Sequence, residues 1–236
     1  MKYLDAHCHL TPDVDLDTML SRAAKIGVDG MLCNAAQFSE WDDIINATRL
    51  CSSVHGAIGI HPWHISHAPE NWATILQDLL HQNPELSVGE IGLDKNYPDI
   101  NAQQDAFVTQ LNIAYQLGRG VSVHCVGLWD KLFEILRMCQ NKLPRFLVLH
   151  SYSGPAFNME KSANQFNLYY SYGPRNLSMR RFSDCVTHTP LSRLLIESDG
   201  SNPSVLPDIL DALSRELNLA PSHLSDIIYS NSEQIF

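Results

Sequence analysis

Eight short apolar runs, each of strand length, alternate with amphipathic stretches along all 236 residues of the chain. The runs fall at 3–9, 30–34, 56–61, 86–91, 121–124, 146–150, 168–172 and 194–199. Between them, apolar residues recur at helical spacing. One stripe holds Phe107, Leu111, Ala114 and Tyr115; a second holds Leu128, Leu132, Ile135, Leu136 and Cys139; a third holds Val205, Ile209, Leu213 and Leu217. Pro221 opens a last helix with Leu224, Ile227 and Ile228 on one face, followed by Ile235 and Phe236. One strand–helix unit per about 30 residues is the step of a βαβ repeat. Such alternation requires parallel strands, and eight parallel strands can close into a barrel. The expectation is therefore an α/β chain forming one (β/α)8 barrel, with residues 1–236 as a single domain. The competing architecture is an open doubly wound sheet. Its usual ligand devices, a G-x-G-x-x-G turn after the first strand or a P-loop, are missing.

The charge balance narrows the partners. Sixteen basic against 26 acidic side chains give a formal charge of −10. That argues against broad electrostatic binding of nucleic acid or an anionic membrane, but a local cationic site such as a metal centre remains compatible. The apolar runs are too short to span a membrane, and the start, Met1-Lys2-Tyr3-Leu4-Asp5, lacks the apolar stretch of a secretory leader. Cys8, Cys33, Cys51, Cys125, Cys139 and Cys185 are widely spaced and form no C-x-x-C. They read as reduced thiols of a cytoplasmic protein.

Metal-ligand residues gather at the C-terminal ends of the runs. The first ends His7-Cys8-His9; on a strand, residues two apart share a face, so both imidazoles point one way and Cys8 points the other. The fourth continues Gly89-Glu90-Ile91-Gly92-Leu93-Asp94, the fifth ends at His124, the sixth at His150, and the eighth at Glu197-Ser198-Asp199. In a barrel these ends meet at one mouth. Four histidines with Glu90 and Asp199 form a ligand set that suits zinc, manganese, iron, nickel or cobalt, and its carboxylates also admit magnesium. Alone, each has a plainer reading: a hydrogen-bonded structural histidine, a helix cap at Asp199, a salt-bridge partner at Glu90. Their shared placement on one edge favours a metal site. His61, before Pro62, faces the same mouth and fits a substrate-contacting or supporting role. His64 reads as a loop residue, and His55, His67, His81, His188 and His223 as surface residues of helices or loops.

The strings Asp5-Ala6-His7-Cys8-His9-Leu10, Gly59-Ile60-His61-Pro62, Val88-Gly89-Glu90-Ile91-Gly92-Leu93-Asp94 and Leu195-Ile196-Glu197-Ser198-Asp199 resemble the signatures of the TatD family of metal-dependent deoxyribonucleases. His124 and His150-Ser151-Tyr152-Ser153-Gly154 stand where that family has its two later histidines. The resemblance covers essentially the whole chain. It implies a TIM-type barrel of the amidohydrolase superfamily, two divalent ions (magnesium, manganese or zinc) and hydrolysis of DNA phosphodiesters in a 3′–5′ exonuclease-like manner. It also implies that His7, His9, Glu90 and Asp199 hold one ion, and that Glu90, His124 and His150 hold the other. Glu90, Asp199 and His61 are then the expected catalytic groups, Asp199 taking a proton from the attacking water and His61 bonding a phosphoryl oxygen.

Three positions depart from the family pattern. Cys125 and Val126 follow His124 where a small residue and an Arg are usual. Gly200-Ser201-Asn202-Pro203 follows Asp199 instead of Ala-Pro, and Trp63 stands where a second histidine is common. Lys95 and Arg175 are candidates to replace the missing Arg at substrate phosphate. The altered mouth keeps a second reading open, a hydrolase of a small ester, amide or lactone on the same metals, and a third, a binding protein without catalysis. Nothing in the sequence calls for a protein partner, so a monomer is expected.

Overall fold

The computed structural model describes residues 1–11 and 13–236. Its eight strands are β1 (Tyr3–Cys8), β2 (Val28–Asn34), β3 (Val54–Ile58), β4 (Ser87–Asp94), β5 (Val121–Val126), β6 (Leu147–Leu149), β7 (Leu168–Tyr172) and β8 (Leu194–Ile196). Each is followed by a helix: α1 (Leu16–Ile26), α2 (Trp41–Leu50), α3 (Trp72–Gln82), α4 (Ile100–Leu117), α5 (Trp129–Met138), α6 (Met159–Phe166), α7 (Phe182–His188) and α8 (Leu206–Leu217), with α9 (Pro221–Ser232) last. All neighbouring strands pair in parallel, in chain order. Bonds from the Asp199 N–H to the His7 carbonyl (3.0 Å) and from the His9 N–H to the Gly200 carbonyl (3.2 Å) tie the segment after β8 to β1. The sheet is thus a nearly closed (β/α)8 barrel of TIM type, as the alternation predicts.

Local chemistry sets the element ends. Asp15 caps α1 by accepting from the Thr18 N–H (2.7 Å), and Gly27 ends it at φ +83°. Four strands stop earlier than the apolar runs, β1 by a single residue at Cys8. β3 stops at Ile58 because the Ile60 N–H and carbonyl go to the Gln110 side chain (2.7 and 3.2 Å) and Pro62 has no N–H to pair. Past β8, the Ser198 N–H bonds the Asp5 carboxylate (2.9 Å), so a side chain takes the place of a neighbouring strand. His150 lies one residue beyond β6. β4 and β5 instead run on past their expected ends, to Asp94 and Val126.

The strand period sorts residues onto two faces. Leu147, Leu149, Leu168, Tyr170, Tyr172, Leu194 and Ile196 join the large core under the helices. Their alternates Val148, Tyr169 and Leu195 form a smaller cluster with Ala6, Phe146 and Ile235, with Phe236 packed against it. That cluster is the floor of the barrel interior. Continuing toward the strand C-termini on the same face come Ser122 then His124, Val148 then His150, and Leu195 then Glu197. Apolar floor and polar mouth are two ends of one alternation. His55 differs from its sequence reading: it lies within β3, half-buried, with its ring edge-on to Phe236 (4.6 Å), because that strand begins at Val54.

Candidate metal centre

Glu90 sits at the centre of the mouth, 4% exposed, with its two carboxylate oxygens facing different histidines. Oε2 lies 3.4 Å from His7 Nε2 and 3.2 Å from His9 Nε2. Oε1 lies 2.8 Å from His124 Nδ1, 2.7 Å from His150 Nε2 and 3.3 Å from His61 Nε2. Asp199 closes the ring, its Oδ1 3.9 Å from His9 Nε2. All of these but the fully buried His7 border a cavity of about 280 Å³, together with Trp63 and Arg175. A roomier hollow of about 390 Å³ near α5 and α6 has no histidine in its wall.

β4 can bring Glu90 there because its flanking glycines admit close neighbours. At Gly92, φ is +150° and a Cβ would overlap the His124 carbonyl oxygen. At Gly89 a Cβ would come within 2.7 Å of the Asn34 amide oxygen and 2.9 Å of the Ser122 Cβ, across the barrel interior.

The ring nitrogens are oriented from behind. His9 Nδ1 bonds the Asn34 carbonyl (2.9 Å), which only accepts, so Nδ1 carries a proton and Nε2 is the nitrogen turned to the centre. His7 Nδ1 meets the Ser122 hydroxyl at 2.8 Å. His7 Nε2 then faces His9 Nε2 at 3.0 Å, and His124 Nδ1 faces His150 Nε2 at 3.1 Å. Burial pushes all these imidazoles toward the neutral form. Attraction and hydrogen bonding to Glu90 overcome it at His9, at His124 with help from Asp94, and at His150 with help from Glu197, holding their pKa values above the ordinary one. Burial also opposes the Glu90 charge, but the surrounding histidines hold its carboxyl well below the usual range. Close-set imidazole nitrogens around one anionic carboxylate are the donor set of a divalent cation, which would displace their protons, and three groups could each hold one: His7, His9 and Glu90; His61, Glu90 and His124; His7, His150 and Asp199.

His61 differs electrically. Desolvation lowers its pKa to about 4, so it is neutral at pH 7. Its Nδ1 accepts from the Trp63 N–H at 3.2 Å, which places the ring proton on Nε2, facing Glu90 and the cavity. Arg175 reaches the mouth, with Nε 3.6 Å from Asp199 Oδ2 and a side chain 75% exposed. Lys95 does not line the cavity; it is exposed, with its alkyl stem against Gly127. Sequence reading passed over two carboxylates. Asp94 Oδ2 accepts from Trp63 Nε1–H (2.7 Å) and lies 3.3 Å from His124 Nε2. Glu197 Oε1 accepts from the Ser151 N–H (2.7 Å) and lies 3.5 Å from His150 Nδ1. Their signal was positional: Asp94 shares the strand parity of Glu90, and Glu197 that of Asp199. Cys8 faces away from the mouth, its sulfur 3.2 Å from that of Cys33, and all six cysteines are free.

Among the described residues no helix is long and apolar enough to cross a membrane. The chain is 28% identical over 222 residues to the 3′-5′ ssDNA/RNA exonuclease TatD of Shigella flexneri, covering 91% of this chain and 83% of that one. It is likewise 28% identical over 212 residues to the uncharacterized metal-dependent hydrolase YjjV of Escherichia coli K12, covering 84% and 79%. The crystal structure of YjjV superposes with a TM-score of 0.91 over 99% of this chain and 97% of that one, at 24% identity, so the two share a fold. Residues 4–236 match the TatD related DNase family, and with the barrel and its histidine–carboxylate cluster the chain belongs to that family of metal-dependent hydrolases.

Proposed function

We propose that the chain hydrolyses phosphodiesters at the ends of single-stranded nucleic acid, in the 3′–5′ direction, with two divalent ions (magnesium, manganese or zinc) at the Glu90 cluster. The observation that carries this reading is the division of Glu90: one oxygen toward His7 and His9, the other toward His124 and His150. His7, His9 and Asp199 then complete one site, His124 and His150 the other, with Glu90 common to both. When bound, such ions polarise phosphoryl oxygens and acidify water. Glu90 fixes the spacing of the two sites. Asp199, held loosely at 3.5 Å by the Ser151 hydroxyl, accepts the proton of the attacking water through Oδ2. Neutral His61 donates its Nε2 proton to a phosphoryl oxygen as charge develops there. Arg175 offers a further donor to phosphate; Lys95, turned toward Gly127, is a weaker candidate. We include in this reading one catalytic domain spanning residues 1–236, a monomer, and a cytoplasmic setting.

The mouth is concave and its ligand groups are buried, so an intact duplex fits it poorly and a free end fits it well. End-labelled linear single-stranded DNA and a covalently closed single-stranded circle, incubated with magnesium or manganese, test this. Loss of label with the circle intact is expected. Equal cutting of both would remove the end preference. Cutting of neither, with turnover of small esters or lactones, would replace the nuclease reading by the small-substrate one.

A further inference from the structure

Trp63 and Tyr97 are stacked at the edge of the mouth, with centroids 4.8 Å apart and planes 17° from parallel. Both are exposed, at 36% and 37%, an unusual state for two large rings in contact beside a polar centre. They continue a row of rings that begins in the cluster. His124 and His61 are 4.2 Å apart, His61 and Trp63 4.7 Å, and Tyr97 stands outermost. The indole is fixed to the metal centre, since its Nε1–H bonds the same Asp94 oxygen that meets His124 Nε2. Tyr97 is held by its backbone: its N–H bonds the Asp94 carbonyl (3.3 Å), and its carbonyl accepts from Gln103 Nε2 (3.1 Å).

We infer that Trp63 and Tyr97 are the stacking platform for a base of the single-stranded substrate, the base adjoining the phosphodiester held at the Glu90 cluster. The inference rests on the nuclease reading above. The bond to Asp94 explains why an indole stands at position 63, but a partner for Asp94 needs no second ring laid parallel to the first. A nucleobase does use such a pair: every base has a π-face, so rigid rings bind single strands with little sequence preference. The other requirement of a single strand, a cation for its backbone, is met across the barrel, where Arg175 follows β7 while Trp63 follows β3. A strand laid over the mouth then has its phosphates toward Arg175 and the metal centre and one base on the rings. The indole orientation is set before substrate arrives, which limits the ordering cost of binding.

Steady-state hydrolysis of end-labelled oligothymidylate, and of the same oligomer made abasic at its terminal nucleotides, tests the platform. The wild type should prefer the intact oligomer by about 5- to 150-fold, expressed in KM. Tyr97→Ala should raise KM on the intact oligomer toward the abasic value, with kcat and metal content unchanged and no effect on the abasic substrate. Tyr97→Phe, which keeps the ring, should behave as wild type. Trp63→Phe should retain most of the preference. Equal KM for both substrates in the wild type, or equal loss on both in Tyr97→Ala, would overturn the platform and leave the nuclease reading standing. Hydrolysis of neither substrate by metal-loaded wild type would overturn both.

Discussion

Glu90 is the residue on which the centre depends, because its two carboxylate oxygens between them meet both histidine pairs at 2.7–3.4 Å. Glu90→Ala is expected to abolish hydrolysis and to cut bound metal to a small fraction of wild type, read by elemental analysis after gel filtration. Asp199→Asn is the complementary change. Asn tolerates the left-handed backbone at this position (φ +49°), so the fold and most of the metal should remain. An amide cannot accept the proton, so kcat should fall by about 10²–10⁴-fold; turnover within a few-fold of wild type would remove Asp199 from that role. The histidines and Glu90 were legible in the sequence because strand ends of a parallel barrel converge, whatever the loops do. Lys95 lies off the cavity lining for the same reason that Asp94, which the sequence reading passed over, reaches His124. Glu90, Gly92 and Asp94 share one face, and the next residue along turns outward.

β4 shows how narrowly an element can be specified. Its whole length is nearly buried, and Gly92 passes so close to β5 that no side chain fits beside the His124 carbonyl. Gly92→Ala is therefore expected to push β5 away and shift His124. A loss of about 2 kcal/mol or more in denaturant unfolding, with reduced metal content, is the outcome to look for. The number and order of the strands were readable from alternation alone. Their ends were not, since the ends depend on distant partners: Gln110 on α4 takes the Ile60 backbone, and Asp5 on β1 takes Ser198. Those bonds end the regular strands before His61 and Asp199, whose own N–H groups are tied to the Ala36 and His7 carbonyls, and leave both side chains over the mouth. No local pattern around either residue records a partner 50 or 193 positions away.

The whole molecule gathers many polar groups at one end of the barrel and therefore gains stability from what it binds. A divalent ion at about 100 times its Kd adds about 2.7 kcal/mol. At this chain length that corresponds to roughly 5–10 °C in Tm, so a chelator should lower the melting temperature by about that much, and re-addition of metal should restore it. Binding of single-stranded DNA should depend only weakly on salt. With a net charge of −10 and Arg175 as the main cation at the mouth, log K against log[salt] should have a slope shallower than about −2, measured by fluorescence anisotropy. A steep slope would point to a basic track elsewhere on the surface. At the opposite end, Phe146, Tyr169, Ile235 and Phe236 stopper the barrel. The active space is thus a well and not a tunnel: a strand cannot be drawn through it, and whatever is cut off must back out through the opening by which the next nucleotide enters. Such an enzyme pauses on its own product. Added mononucleotide should compete with the strand, raising KM while leaving kcat in place.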